Sequence, residues 1–166
     1  MLNLIKKKLV FGKYGKLPGK PSELINIALN DLRKAEKAGH VINMGTWCEY
    51  EPTNKKCTVC FAGSVMVNSL KKLDSVKNLK NTVGLDPWEL EDTKSLEPHD
   101  FDAEYSALNA INDLRTGAIK DAFDTLSIAF PANLKESVKV VEYKRNRTKF
   151  KQQMKALASA LAKQGY

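Results

Sequence analysis

The reading of this chain turns on Gly45 to Leu73, GTWCEYEPTNKKCTVCFAGSVMVNSLKKL. It holds all three cysteines, one of the two tryptophans and the most continuously apolar run. Residues 48–56 are polar, with Pro52, Thr53, Asn54, Lys55 and Lys56, and read as a loop. From Cys57 onward Val59, Cys60, Phe61, Ala62, Val65, Met66, Val67, Leu70 and Leu73 make a run too long for one strand. It is apolar almost all round at its start, as a buried helix over 57–72 would be. Ala62-Gly63-Ser64 lets a neighbouring backbone come close. Glycine costs a helix roughly 1 kcal/mol relative to alanine, so a packing reason for Gly63 is expected.

Outward from this stretch, the chain predicts a mainly α, compact single-domain helical bundle, with one short strand or extended segment near 41–47. Residues 22–38 carry Leu24, Ile25, Ala28, Leu29, Leu32 and Ala35 on one helical face. Ser22 is placed to cap that helix and Gly39 to end it. A second helix is expected over 102–116, capped by Asp100 or Asp102 and ended by Gly117, and a short third one over 118–126. The segment 132–163 reads as one long helix with an apolar stripe of Phe150, Met154, Leu157 and Leu161. The 4, 3, 4 spacing of that stripe suits packing on the core or self-association with a second copy. The expected organisation is a basic, weakly ordered segment at 1–21, a helical core at 22–131 and a basic helix at 132–166. Ala28-Leu-Asn-Asp-Leu-Arg33 echoes Ala110-Ile-Asn-Asp-Leu-Arg115, which two amphipathic helices of similar phase explain.

A length of 166 residues suits one hydrophobic core, and the 43% hydrophobic, 28% charged composition is that of a globular chain. No apolar run reaches the ~18 residues of a membrane-spanning helix. The lysines at positions 6 to 8 follow the short apolar start, the wrong order for a secretory signal. With an odd number of cysteines, this predicts reduced thiols and a cytoplasmic location.

Net charge is +8, unevenly placed. Residues 1–22 hold six lysines and no acid; residues 86–104 hold eight acids against Lys94; residues 135–166 hold nine basic residues against Glu136 and Glu142. Either the acidic middle neutralises the basic ends, or a basic face serves nucleic acid or an acidic protein. The candidate binding residues are Lys144, Arg145, Arg147, Lys149 and Lys151. Such cations neutralise phosphates without sequence choice. Only Tyr143 and Phe150 lie nearby as aromatics, a poor platform for stacking single-stranded bases.

The thiols carry the competing chemistry. Cys57-x-x-Cys60 with Cys48 and His40 or His99 is a conceivable zinc tetrahedron, although the second ligand pair is not of usual spacing. Cys48 or Cys57 beside His40 is a conceivable cysteine nucleophile with its base. Against both stands the common role of free cysteine as a small buried hydrophobe. No phosphate loop, dinucleotide fingerprint, H-E-x-x-H or EF-hand pattern occurs.

Three motifs together resemble a group of small proteins encoded by bacteriophages and prophages: Gly45-Thr-Trp-Cys48, then Cys57-x-Val-Cys60-x-Ala-Gly63-x-Val-Met66, then Ala107-Leu-Asn-Ala-Ile-Asn-Asp-Leu-Arg115-x-Gly117. The resemblance covers roughly residues 22–126, is most specific at the cysteines and carries over no catalytic residue. It implies a small cytosolic protein acting inside an infected bacterium, of a kind that binds a host or phage macromolecule. The leading expectation is a non-catalytic accessory protein, without a cofactor, that binds nucleic acid or an acidic protein through its basic face. The runner-up is a cysteine-dependent enzyme or thiol-metal protein centred on Cys48, Cys57 and Cys60.

Overall fold

The computed structural model describes residues 17–51, 56–70, 95–96 and 104–166. Expectations for the N-terminal lysines, for 74–94, for His99 and for Asp100 and Asp102 as caps lie outside the described residues. The chain is mainly helical, with one small sheet. Helix α1 spans Pro21–Lys37, strand β1 Val41–Ile42, β2 Cys48–Glu51 and β3 Lys56–Val59. Helix α2 spans Phe61–Leu70, β4 Ser95–Leu96, α3 Tyr105–Thr116, α4 Ile119–Thr125 and α5 Arg147–Lys163.

Helix α1 sits at the centre, packed on α2, α3 and α5. Leu24, Ile25, Ala28 and Leu32 are all fully buried, as its periodicity requires. Its start differs from the sequence reading. Pro21 takes the first helical position, where its missing N–H costs nothing, and Lys20 is the N-cap without a side-chain bond. Ser22 is buried instead, its hydroxyl donating to the Tyr166 carbonyl. The stop is as expected: Gly39 adopts φ +78, and His40 N–H reaches the Ala35 carbonyl at 3.0 Å.

The sheet has strand order β1-β3-β2-β4. β2 and β3 pair antiparallel with Cys48 opposite Val59 and Glu51 opposite Lys56, while β1 runs parallel to β3 with Val41 opposite Thr58. Two expectations are corrected here. Residues 48–51 are a strand rather than loop, and the predicted helix at 57–72 is divided. Lys56–Val59 alternates half-buried and buried positions, the period of a strand, and the helix begins only at Phe61. From Phe61 to Val67 every residue is buried, so the all-round apolar character belongs to α2.

Gly63 is where the sheet and α2 meet. A Cβ there would lie 1.5 Å from the Trp47 carbonyl oxygen, which accepts the Cys60 N–H at 3.3 Å. The small-residue run thus admits a neighbouring backbone, as its composition predicts. Gly117 does two tasks. At φ +82 it ends α3, and a Cβ there would lie 1.9 Å from the Val138 carbonyl oxygen.

The long helix expected over 132–163 is corrected most. Residues 127–146 form no helix, and α5 begins at Arg147. Asn146 caps it, its Oδ1 accepting the Lys149 N–H at 2.9 Å. The preceding segment is a strap held by tertiary bonds: Lys120 N–H to the Glu136 carbonyl at 2.8 Å, Val138 N–H to the Gly117 carbonyl at 2.9 Å, and Val141 N–H to Gln153 Oε1 at 2.7 Å. Leu134, Val138, Val140 and Val141 pack on the core. The stripe of Phe150, Met154, Leu157 and Leu161 is buried in the chain's own core, so it is not an outer surface for a second copy. Phe150 meets Phe61 edge-on at 5.5 Å and Tyr143 at 5.7 Å, tying α5 to α2 and to the strap. One cluster of buried residues runs from Leu17 to Leu161, joining the expected core and C-terminal segments.

Candidate functional site: a basic cleft beside the edge strand

Two segments about a hundred residues apart meet across a cleft of about 760 Å³. One wall is Val41 to Gly45, strand β1 and the turn after it; the other is Val140 to Lys144, the end of the strap. Arg115, Thr116, Arg147 and Phe150 complete the lining. The lining is about evenly polar and apolar, and Val41, on the edge strand, is 56% exposed. The charged lining is Arg115, Lys144 and Arg147 against Glu142. Arg115 is held by its Nε donating to Asn112 Oδ1 at 2.7 Å.

The predicted binding residues divide at this site. Lys144, Arg145, Arg147 and Lys149 are exposed around the start of α5. Among the described residues no ion pair engages any of them. Arg147 lies over the Tyr143 ring at 5.4 Å. Lys151 points elsewhere: its Nζ pairs with Glu36 Oε2 at 2.6 Å, and Tyr143 donates its hydroxyl to Glu36 Oε1. Burial by itself would raise the Glu36 pKa, but the bonds from Lys151 and Tyr143, with the charges of Lys151 and Arg147, outweigh it and hold the carboxyl below its ordinary value. Burial and the bond to Glu36 push the Tyr143 phenol well above its own. Lys151 therefore ties α5 to α1, while Tyr143 ties the strap to the same carboxylate, and the Lys151 charge is already paired.

The alternative centre is assembled but sealed. Cys48 and Cys57 lie on neighbouring strands, Cys60 precedes α2, and all three are reduced and buried. The Cys48 thiol is hydrogen-bonded to Cys57; that bond, then burial and the adjoining sulfurs, push its pKa well above the ordinary thiol range. Burial also raises Cys60, although its sulfur accepts the Gly63 N–H at 3.3 Å and feels the Arg115 charge. The raised, buried thiols of Cys48 and Cys60 favour the protonated form at neutral pH, and a protonated thiol is a poor nucleophile. His40 Nδ1 accepts the Cys57 N–H at 2.9 Å. Neutral imidazole then carries its hydrogen on Nε2, the reverse of the wiring that would free Nε2 as a general base. Among the described residues no group of three or more His, Cys, Asp or Glu is arranged to hold a metal ion. What these residues do in the fold is lock the hairpin to the turn after α1.

Sequence reasoning missed Val41 to Gly45 and Arg115 as cleft residues. A short apolar segment with a glycine carries no binding signal of its own. Arg115 reads as an ordinary cation in the last turn of a helix. Comparison of the chain with family models, with curated proteins and with solved structures gives no match in any of the three. Among the described residues no helix is long and apolar enough to cross a membrane.

Proposed function

We propose that this chain is a non-catalytic accessory protein that binds an acidic protein partner through the cations around the start of α5. In keeping with the phage-type resemblance, its setting is the cytosol of a bacterial host. The observation that carries the reading is a local conflict at α5. The first turn of a helix is its positive end, where acids stabilise and cations destabilise by about 0.3–1 kcal/mol each. This first turn holds Arg147 and Lys149 and no acid. Position 149 is the third residue after the Asn146 cap, where glutamate would complete a capping box. The chain places lysine there, adds Lys144 and Arg145 just before, and leaves all four in solvent. A local rule broken with no ion pair to these cations among the described residues supports reading them as a functional surface.

Charge alone suits nucleic acid too; the surroundings favour protein. Tyr143 and Phe150 are 3% and 2% exposed, so neither offers a face to an unpaired base. The cleft beside the cations also presents Val41, Ile42, Met44 and Val140, which can meet apolar side chains of a protein partner.

The test measures binding of fluorescein-labelled polyglutamate and of a short duplex DNA, each across a salt series. Polyglutamate should bind, weaken as salt rises, and be lost with the double charge reversal Lys144→Glu, Arg147→Glu. Binding of the duplex in place of polyglutamate would make the partner a nucleic acid. Polyglutamate binding that ignores the double reversal would remove the α5 cations from the site.

A further inference from the structure

Arg115 stands apart from the other cations of the cleft. Lys144 and Arg147 are exposed around the start of α5, whereas Arg115 is half-buried in the last turn of α3. Its Nε donates to Asn112 Oδ1 at 2.7 Å, and among the described residues its Nη groups have no hydrogen bond and no ion pair. The acids around it do not engage it. Asp113 accepts the Thr125 hydroxyl at 3.0 Å, and Glu142 is exposed on the cleft lining. A cation in the last turn suits the helix dipole, but lysine would serve that equally. The Asn112 bond does something further: it fixes the plane of a guanidinium fork, the shape that grips one carboxylate with two parallel hydrogen bonds. Arg115, Lys144 and Arg147 face Glu142 across the lining, so the opening favours an anion. At about 760 Å³ it has room for a side chain and the backbone that carries it.

We infer that Arg115 anchors the acidic partner: one carboxylate side chain of that protein enters the cleft and pairs with the Arg115 guanidinium. This rests on the reading of the α5 cations as a site for an acidic partner and names the contact that holds it. Exposure divides the roles. Exposed cations act through water and are screened by salt, so Lys144 and Arg147 steer the approach and set the on-rate. A half-buried guanidinium bonded twice to one carboxylate loses those bonds only when the complex opens, so Arg115 sets the off-rate.

The probe is a short fluorescein-labelled polyglutamate, used with the full chain. On- and off-rates are read by stopped-flow anisotropy across a salt series, and position by the Arg115 Nε–H resonance in nitrogen-15 NMR. Arg115→Lys keeps the charge and removes the fork. It is expected to raise the off-rate about tenfold, the loss of one charge-assisted hydrogen bond, with the on-rate and the melting temperature unchanged. Lys144→Gln, a milder change than the double reversal, is expected to lower the on-rate and flatten its salt dependence while leaving the off-rate close to the parent's. The Nε–H resonance should shift when the probe binds. Off-rates unmoved in both Arg115→Lys and Arg115→Gln would overturn the anchor. So would a Nε–H resonance that stays in place, even where Arg115→Lys weakens binding by lowering stability. If binding is nonetheless abolished by Lys144→Glu with Arg147→Glu, the reading of the α5 cations survives the loss of the anchor. If polyglutamate does not bind the parent chain, both fall.

Discussion

Replacing Gly63 by alanine sets two physical effects of opposite sign against each other. By helix propensity alone, Gly63→Ala should stabilise α2 by about 1 kcal/mol. The tertiary structure says otherwise. The new Cβ would lie 1.5 Å from the Trp47 carbonyl oxygen and 2.7 Å from its carbon. The obstacle is backbone, which cannot rotate away as a side-chain tip can. Relief means separating α2 from the 41–47 segment, an overpacking cost of up to about 3 kcal/mol. It also strains the bond from Cys60 N–H to the same carbonyl, worth about 1 kcal/mol. Subtracting the propensity gain leaves a net destabilisation of about 3 kcal/mol. For a chain of this size that lowers Tm by about 6–12 °C. The assay is urea and thermal unfolding followed by circular dichroism, with Tyr143 and Phe150 left untouched. A Gly63→Ala protein as stable as the parent, or more so, would refute the close approach.

Lys149→Glu should raise stability by about 0.5–1 kcal/mol by completing a capping box with Asn146, while weakening polyglutamate binding; a loss of stability in urea melts would refute the argument from the helix start. Glu36→Gln should cost about 1–2 kcal/mol by releasing Lys151 and weakening the Tyr143 bond. The folded Glu36 pKa lies below its ordinary 4.5, so its contribution is present above pH 4.5 and lost as pH falls through the folded value. Acid unfolding of Glu36→Gln should accordingly show a shallower fall below pH 4.5 than the parent, and parallel profiles would count against the network. Iodoacetamide at pH 7.5 should leave Cys48 and Cys60 unmodified in the native protein and label them once urea unfolds it; rapid native labelling by mass spectrometry would return the thiols to candidacy as a reactive centre.

How much of this could be read in advance depended on how local the cause was. The faces of α1 and α3 and their glycine stops were legible, because apolar period and positive φ are properties of a few neighbouring residues. The echo between Ala28–Arg33 and Ala110–Arg115 is shared helical phase, since both segments bury their apolar residues in the one core. The need for a small residue at Gly63 was legible in kind, and Trp47 as the group that fills the space was not. Cys57 could not be assigned, because Cys57-Thr58-Val59 serves as strand or helix and only pairing with β2 decides between them. The strap over 127–146 stayed hidden for the same reason. Lysines and valines there tolerate a helix, and the extended path is won by bonds to Gly117, Lys120 and Gln153 from other elements.

Sequence alone therefore determined a helical chain with a buried cysteine segment and an excess of cations at 144–149. The tertiary structure decided which cations have no ion pair among the described residues, by giving Lys151 to Glu36. It also decided what they surround, because an edge strand at 41–42 and a strap at 140–144 become two walls of one cleft only when non-local packing holds them together.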